Sequence, residues 1–105
     1  MSKVGTKKMS GVERIAAERQ RHFEVEGWTP EHDDAHVNGE MALAASVYAQ
    51  FAAWPKGWRK FSRPSGWPWE RKWWKPKDPI RDLEKAGALI AAEIDRLLRA
   101  EESPR

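Results

Sequence analysis

The chain has no cysteine among its 105 residues. This absence excludes disulfide bonds, thiolate metal sites and cysteine nucleophiles, and it fits the reducing cytoplasm, where we expect the protein to act. No apolar run approaches the roughly 18 residues of a membrane span, so no membrane association is expected. The glycines form no Walker or dinucleotide-binding pattern, and no alternating run indicates a strand. We expect one all-α domain at residues 10–101, between mobile tails at 1–9 and 102–105.

Two helices are predicted in the first half of the chain. The first is expected over residues 11–26, because Ser10 opens a capping box. The second is expected over residues 39–53, and its sequence is apolar nearly all round, which is typical of a buried central helix. This second helix begins either at Pro30, which suits a first turn, or after a break at Asn38.

A third helix is expected over residues 79–100, where Asp78 supplies the cap. Its apolar residues repeat at spacings of three and four, which predicts a seam for another helix. The seam packs inside the chain or forms part of a dimer interface, and Gly87 lets the partner approach closely. The prediction is therefore a three-helix bundle. We expect it to form a homo-oligomer, because a small chain buries more apolar surface by self-association. The seam comprises Ile80, Leu83, Gly87, Ile90, Ile94 and Leu97.

Tryptophan is concentrated in the long segment before the third helix. Six of the seven tryptophans lie in residues 54–74, and residues 54–77 carry eight Lys or Arg against one acid, Glu70. Indole rings stack on flat ligands and neighbouring cations hold phosphates, although the same rings also fill gaps between helices. We predict that residues 54–78 form an ordered loop that binds a nucleotide-type molecule. Its ligand-binding residues are Trp67, Trp69, Arg71, Trp73, Trp74, Lys75, Lys77 and Arg81.

An acidic stretch precedes the second helix. Residues 24–40 hold six Asp or Glu and no Lys or Arg. Asp33 and Asp34 are expected to contact the ribose or an amino edge of the base. On an unbroken helix, His32, His36 and Glu40 share one face that suits a transition metal. The alternative is that these acids only stabilise a helix N-terminus. The net charge of +3 is mild, so no duplex nucleic acid is expected as a partner.

Several motifs together resemble a family of small phage and prophage proteins. The resemblance spans roughly residues 12–98 and implies a phage setting, in which small accessory proteins often counter host defences. The motifs that carry it are residues 18–21, residues 26–34 with His36, Gly39 and Glu40, and residues 67–69, 73–78 and 81–90.

The chain also resembles, more distantly, the MazG-type all-α nucleotide pyrophosphohydrolases. Those enzymes hold Mg²⁺ through E-x-x-E and E-x-x-D motifs, neither of which occurs on the last two predicted helices. The resemblance implies Glu40, Asp82 and Glu84 as metal ligands here.

Three functions follow as hypotheses. The first is a phage counter-defence protein that sequesters a nucleotide or nucleotide-derived signal, with no catalytic residue and no cofactor. The alternative is Mg²⁺-dependent hydrolysis of a nucleoside triphosphate. The second alternative is a protein that inhibits a host defence enzyme by direct contact, since Trp and Arg dominate interface hot spots.

Overall fold

A computed structural model describes residues 8–54 and 65–102. The expected all-α fold is confirmed: these residues form four helices and no strand. None of the described helices is long and apolar enough to cross a membrane. Part of the predicted loop, residues 55–64 with Trp58, lies outside the described residues, as do 1–7 and 103–105. The helices are α1 (Gly11–Glu24), α2 (Pro30–Asp34), α3 (Glu40–Ala53) and α4 (Pro79–Glu102), with a 3-10 turn at Arg71–Trp73.

The fourth helix arises because both predicted starts of the second helix are used. The Thr29 hydroxyl accepts a hydrogen bond from the His32 amide at 3.2 Å, and Pro30 occupies the first turn of α2. The chain then breaks, since Gly39 has a φ of 79°, a left-handed conformation that suits glycine. Helix α3 begins one residue later. Because of this break, α2 and α3 are two separate helices and not one continuous helix.

The core lies between α3 and α4. It is built largely from alanines, whose small side chains allow the two helices to approach closely, and half-buried tryptophans pack against its edge. The expectation that this helix is the buried central one is met only in part: six residues of α3 are buried, but the central helix is α4, which contacts α1, α2 and α3. The core cluster comprises Met41, Ala44, Ala45, Tyr48, Ala86, Leu89 and Ala92, flanked by Trp28, Trp67, Trp69 and Trp74.

Helix α1 buries a side that its apolar pattern does not indicate. The pattern favours Val12 and Phe23 as inward-facing residues, yet these side chains are 79% and 42% exposed. The residues that are buried are Glu18 and His22. Because a charged residue is buried only when it is paired, this side of α1 must meet a polar environment.

The predicted seam of α4 is not its core-facing side. Ala86, Leu89 and Ala92 are buried against α3, whereas all the large seam residues are exposed. Gly87 is the exception, because α1 crosses α4 there. A Cβ atom added to Gly87 would lie 2.5 Å from Cδ1 of Ile15. The predicted close approach at Gly87 is thus found, and it is made by α1.

Candidate functional site

A cavity of about 520 Å³ opens between α1, α3 and the segment that leads to α4. We call it the tryptophan cavity. Half of the residues that line it have aromatic rings. The others are two apolar residues, Met41 and Leu89, and six charged residues. A volume of this size is typical of small-molecule sites. The aromatic wall consists of His22, Trp28, His32, His36, Tyr48, Trp67, Trp69 and Trp73.

One side of the cavity is a ladder of three imidazole and two indole rings. The centroids of Trp28 and His22 are 4.2 Å apart, and Trp28 stacks on His32 at 5.1 Å with an interplanar angle of 16°. His32 then meets His36 edge-on at 5.1 Å, and His36 lies 5.3 Å from Trp69. The ladder joins α1 and α2 to the segment before α4, so the wall depends on tertiary packing.

The ladder continues through Trp69 into a cluster of rings around Trp67. Its indole meets Trp69 and Tyr48 edge-on at 5.4 and 5.5 Å, and it lies 5.0 Å from Trp74. The Trp67 Nε1–H donates to the carbonyl of Glu70 at 3.1 Å, which fixes the indole in place. Such edge-to-face contacts orient the rings as well as burying them. The cluster therefore presents a defined apolar surface to the cavity.

Two lysines stand at the cavity wall beside aromatic rings. The Lys75 ammonium lies 5.5 Å from the Trp73 ring, and the Lys85 ammonium lies 5.5 Å from the Tyr48 ring. Lys85 also donates to the carbonyl of Lys75. Burial lowers the pKa of Lys85, and the nearby Arg81 guanidinium lowers it further. The desolvation of Lys85 makes it a stronger partner for an anion than an exposed lysine would be.

The carboxylate of Glu18 lies at the wall and is almost completely buried. Arg21 donates to both of its oxygens at 2.9 Å, and Arg81 is 2.7 Å away. Burial acts to raise the pKa of Glu18, but the hydrogen bonds from Arg21 and Arg81 outweigh it, so the pKa is lowered. Glu18 is accordingly an ionised carboxylate held by two guanidinium groups. Arg21 also bonds Glu26 at 2.8 Å.

His22 lies next to this ion cluster, and its side chain is only 2% exposed. Burial lowers its pKa to about 4, and the Glu18 carboxylate, 3.7 Å from Nε2, only partly opposes that effect. At neutral pH the imidazole is therefore uncharged. It gives the cavity an aromatic face with hydrogen-bonding capacity and no charge.

The predicted ligand-binding residues in residues 65–77 fall into three groups. Trp67, Trp69, Trp73 and Lys75 are on the cavity wall. The Trp74 ring lies 4.7 Å from Tyr48 and 5.2 Å from Phe51, so it packs into the core behind the wall. The others, Arg71 and Lys77, are exposed and do not line the cavity.

The remaining predicted ligand-binding residues are held by ion pairs within the chain. Arg81 pairs with Glu18 and with Glu84. Asp33 is fully buried, accepts from Arg19 at 3.1 Å and lies 2.9 Å from Nδ1 of His32. The carboxylate of Asp34 accepts from Arg99 at 2.8 Å. None of these three side chains lines the cavity.

The carboxylates implied as metal ligands lie at opposite ends of the α3–α4 pair. Glu40 begins α3 and accepts from the Asn38 amide, whereas Asp82, in the first turn of α4, accepts from the Lys77 amide. Glu84 pairs with Arg14 and Arg81. Across residues 8–54 and 65–102, no group of three or more His, Cys, Asp or Glu is placed to hold a metal ion.

Sequence reasoning did not single out several residues of the wall, namely Glu18, Arg21, His22, Trp28, Tyr48 and Lys85. The spacing of Glu18, Arg21 and His22 on one side of a helix was the available signal, but polar residues at that spacing also describe a solvated face.

Comparison of the chain with protein-family models, with characterised proteins and with solved structures gives no match. The resemblances drawn from its motifs stay predictions.

Proposed function

We propose that the protein binds a nucleotide or nucleotide-derived molecule in the tryptophan cavity. The observation that carries the proposal is the wall itself, where indole and imidazole faces surround a space of about 520 Å³. Stacking on aromatic rings is the general way in which proteins hold a nucleobase, because every base has a flat π face. Trp28 and Trp69 are the two indoles of the ring ladder and are assigned to the base.

Phosphate binding is assigned to the lysine side of the cavity. Lys75 and Lys85 are the two lining ammonium groups, and Lys85 is partly desolvated. Arg21 is a weaker candidate, because Glu18 and Glu26 already occupy its guanidinium. Lys85 thus takes the place of Arg71, Lys77 and Arg81 of the sequence prediction, and Lys75 is kept.

The charge balance of the wall favours a second candidate, Mg²⁺-dependent hydrolysis of a nucleoside triphosphate. The lining cations Arg21, Lys75 and Lys85 are matched by three lining carboxylates. A triphosphate adds several negative charges to this balanced wall, and a divalent cation bound with it would offset them. The lining carboxylates are Glu18, Glu26 and Glu70.

Capture without chemistry suits a counter-defence role, in which a phage protein removes a host signal molecule. The phage setting is supported by the motif resemblance alone. Within the proposal, the protein needs only tight binding at stoichiometric amounts, and no nucleophile is required.

The test is tryptophan fluorescence titrated with mono-, di-, tri-, cyclic and ADP-ribose-type nucleotides, with and without Mg²⁺. The recovered ligand is then analysed by chromatography. We expect saturable quenching that is lost in Trp69→Ala and retained in Trp54→Ala. Trp54 is the matched control, because its ring contacts Phe51 and does not line the cavity.

The chemical state of the recovered ligand separates the candidates. An intact ligand supports capture, and a ligand hydrolysed only with Mg²⁺ supports the enzyme. If no nucleotide changes the fluorescence of the wild-type protein, both the capture and the hydrolysis hypotheses are wrong. The exposed Trp73 surface would then favour the inhibitor hypothesis, to be tested by co-purification with a host protein.

A further inference from the structure

Helix α4 is apolar on two sides. One side, with Ala86, Leu89 and Ala92, is buried against α3. The other side carries six large aliphatic residues whose exposed fractions lie between 47% and 61%. At 100° per residue the mean directions of these two sets differ by about 130° around the helix axis. We call the exposed set the α4 stripe: Ile80, Leu83, Ile90, Ile94, Leu97 and Leu98.

The rest of the described chain covers the stripe only in part. Ile15 of α1 crosses it at Gly87, and the apolar residues on both sides of the crossing remain exposed. A helix that is apolar over much of its circumference is normally buried there. Single exposed apolar residues are ordinary, but six large ones on one side of a helix indicate an interaction surface.

We propose that the α4 stripe is the docking surface for a second copy of this chain. Its residues are spaced three and four apart, which is the spacing at which the side chains of two identical helices pack into each other's grooves. A stripe that meets its own copy about a two-fold axis is complementary to itself, so no second surface has to be found.

The charges beside the stripe agree with self-association. Glu84 is paired with Arg14 and Arg81, Asp95 with Arg19, and Arg99 with Asp34, all within the same chain. Two identical surfaces with these internal pairs meet without bringing uncompensated like charges together. A partner recognised by charge would instead need unpaired ions at the rim.

The size of the stripe agrees with a dimer interface. Helix α4 has 24 residues. It is thus about 36 Å long and, with side chains, roughly 10–12 Å wide, so its outer side covers about 400 Å². A standard interface buries about 800 Å² on each partner, of which rather more than half is apolar. The stripe supplies most of that apolar share, and the neighbouring surface of α1 supplies the rim.

The first test is the mass of the full chain by light scattering coupled to gel filtration. We expect a wild-type mass of two or more chains of 12.1 kDa. Ile94→Asp should shift the protein to a single chain, with at least a ten-fold weaker association and an unchanged helical circular dichroism spectrum. Val37→Asp is the control, because Val37 is 62% exposed but lies on the α2–α3 connection. A single-chain mass for the wild type, or an assembly that survives Ile94→Asp, would overturn the proposal.

The absence of cysteine allows a second test that does not depend on a disruptive charge. Single cysteines are introduced by Ile90→Cys, Ile94→Cys and Leu97→Cys, with Val37→Cys as control. We expect at least one stripe variant to form a disulfide-linked dimer ten-fold faster than the control under mild oxidation. Equal rates in all four variants would contradict docking through the stripe. Neither test depends on ligand binding, since no stripe residue lines the tryptophan cavity.

Discussion

At the scale of single residues, neighbouring aspartates show how burial sets the cost of losing a charge. Asp33 is fully buried between Arg19 and His32, whereas the Asp34 side chain is 48% exposed beside Arg99. Asp33→Asn leaves Arg19 without its buried partner, so we expect a loss of about 2–4 kcal/mol in unfolding free energy. Asp34→Asn, the matched control, should cost less than about 1 kcal/mol. Urea unfolding measures both, and similar losses would contradict the buried network.

His22 predicts how stability depends on pH. Its pKa is about 4 in the folded chain, below the ordinary value of 6.5, because burial disfavours the charged ring. The unfolded chain therefore binds the extra proton first, and stability falls as the pH drops from about 6.5 to about 4. For the shift cited, the loss between pH 7 and pH 5 is about 2 kcal/mol. His22→Gln should remove this part of the pH dependence in urea unfolding; an unchanged slope would show that another group titrates.

At the scale of elements, the crossing of α1 over α4 is a tight contact. A Cβ on Gly87 would lie 2.5 Å and 2.6 Å from two carbons of Ile15. Gly87→Ala gains helix propensity but overpacks this contact, and we expect a net loss of about 1–3 kcal/mol. Gly11→Ala, where an added Cβ meets nothing within 4 Å, is the control. Calorimetry of the pair, with and without Ile15→Ala, should show that the penalty disappears once the Ile15 side chain is removed.

Local sequence signals predicted that α1 and α4 form. They did not predict which sides of these two helices are buried. Ser10 caps α1 with the expected capping box, and Pro79 opens α4. Periodicity, however, reports which side of a helix is apolar and not which neighbour covers it. Ala86 and Ala92 lie in the core because only small side chains fit where α4 packs closely against α3. Glu18 is buried because the guanidinium groups of Arg21 and Arg81 neutralise its charge.

At the scale of the whole molecule, ligand binding should be visible as stability. A nucleotide held at 100 times its dissociation constant stabilises the folded chain by about 2.7 kcal/mol. For a chain of this length that shift corresponds to a melting temperature raised by roughly 10 °C. Calorimetry should show the rise in the wild type and in Trp54→Ala, and its absence in Trp69→Ala. A rise of equal size in all three would place the ligand outside the tryptophan cavity.

The sequence by itself determined the all-α class, the caps at Ser10 and Asp78 and the concentration of indoles and cations before α4, because these depend on neighbours along the chain. Only the tertiary structure decided which rings face the cavity. Trp28 and Trp69 are 41 positions apart in the sequence, and they belong to one ladder because α1, α2 and the segment before α4 pack together. The tertiary structure also decided that Arg81 forms an ion pair with Glu18 and that Lys85 lines the cavity. Charge pairing and burial depend on which distant groups meet, and local spacing cannot specify that.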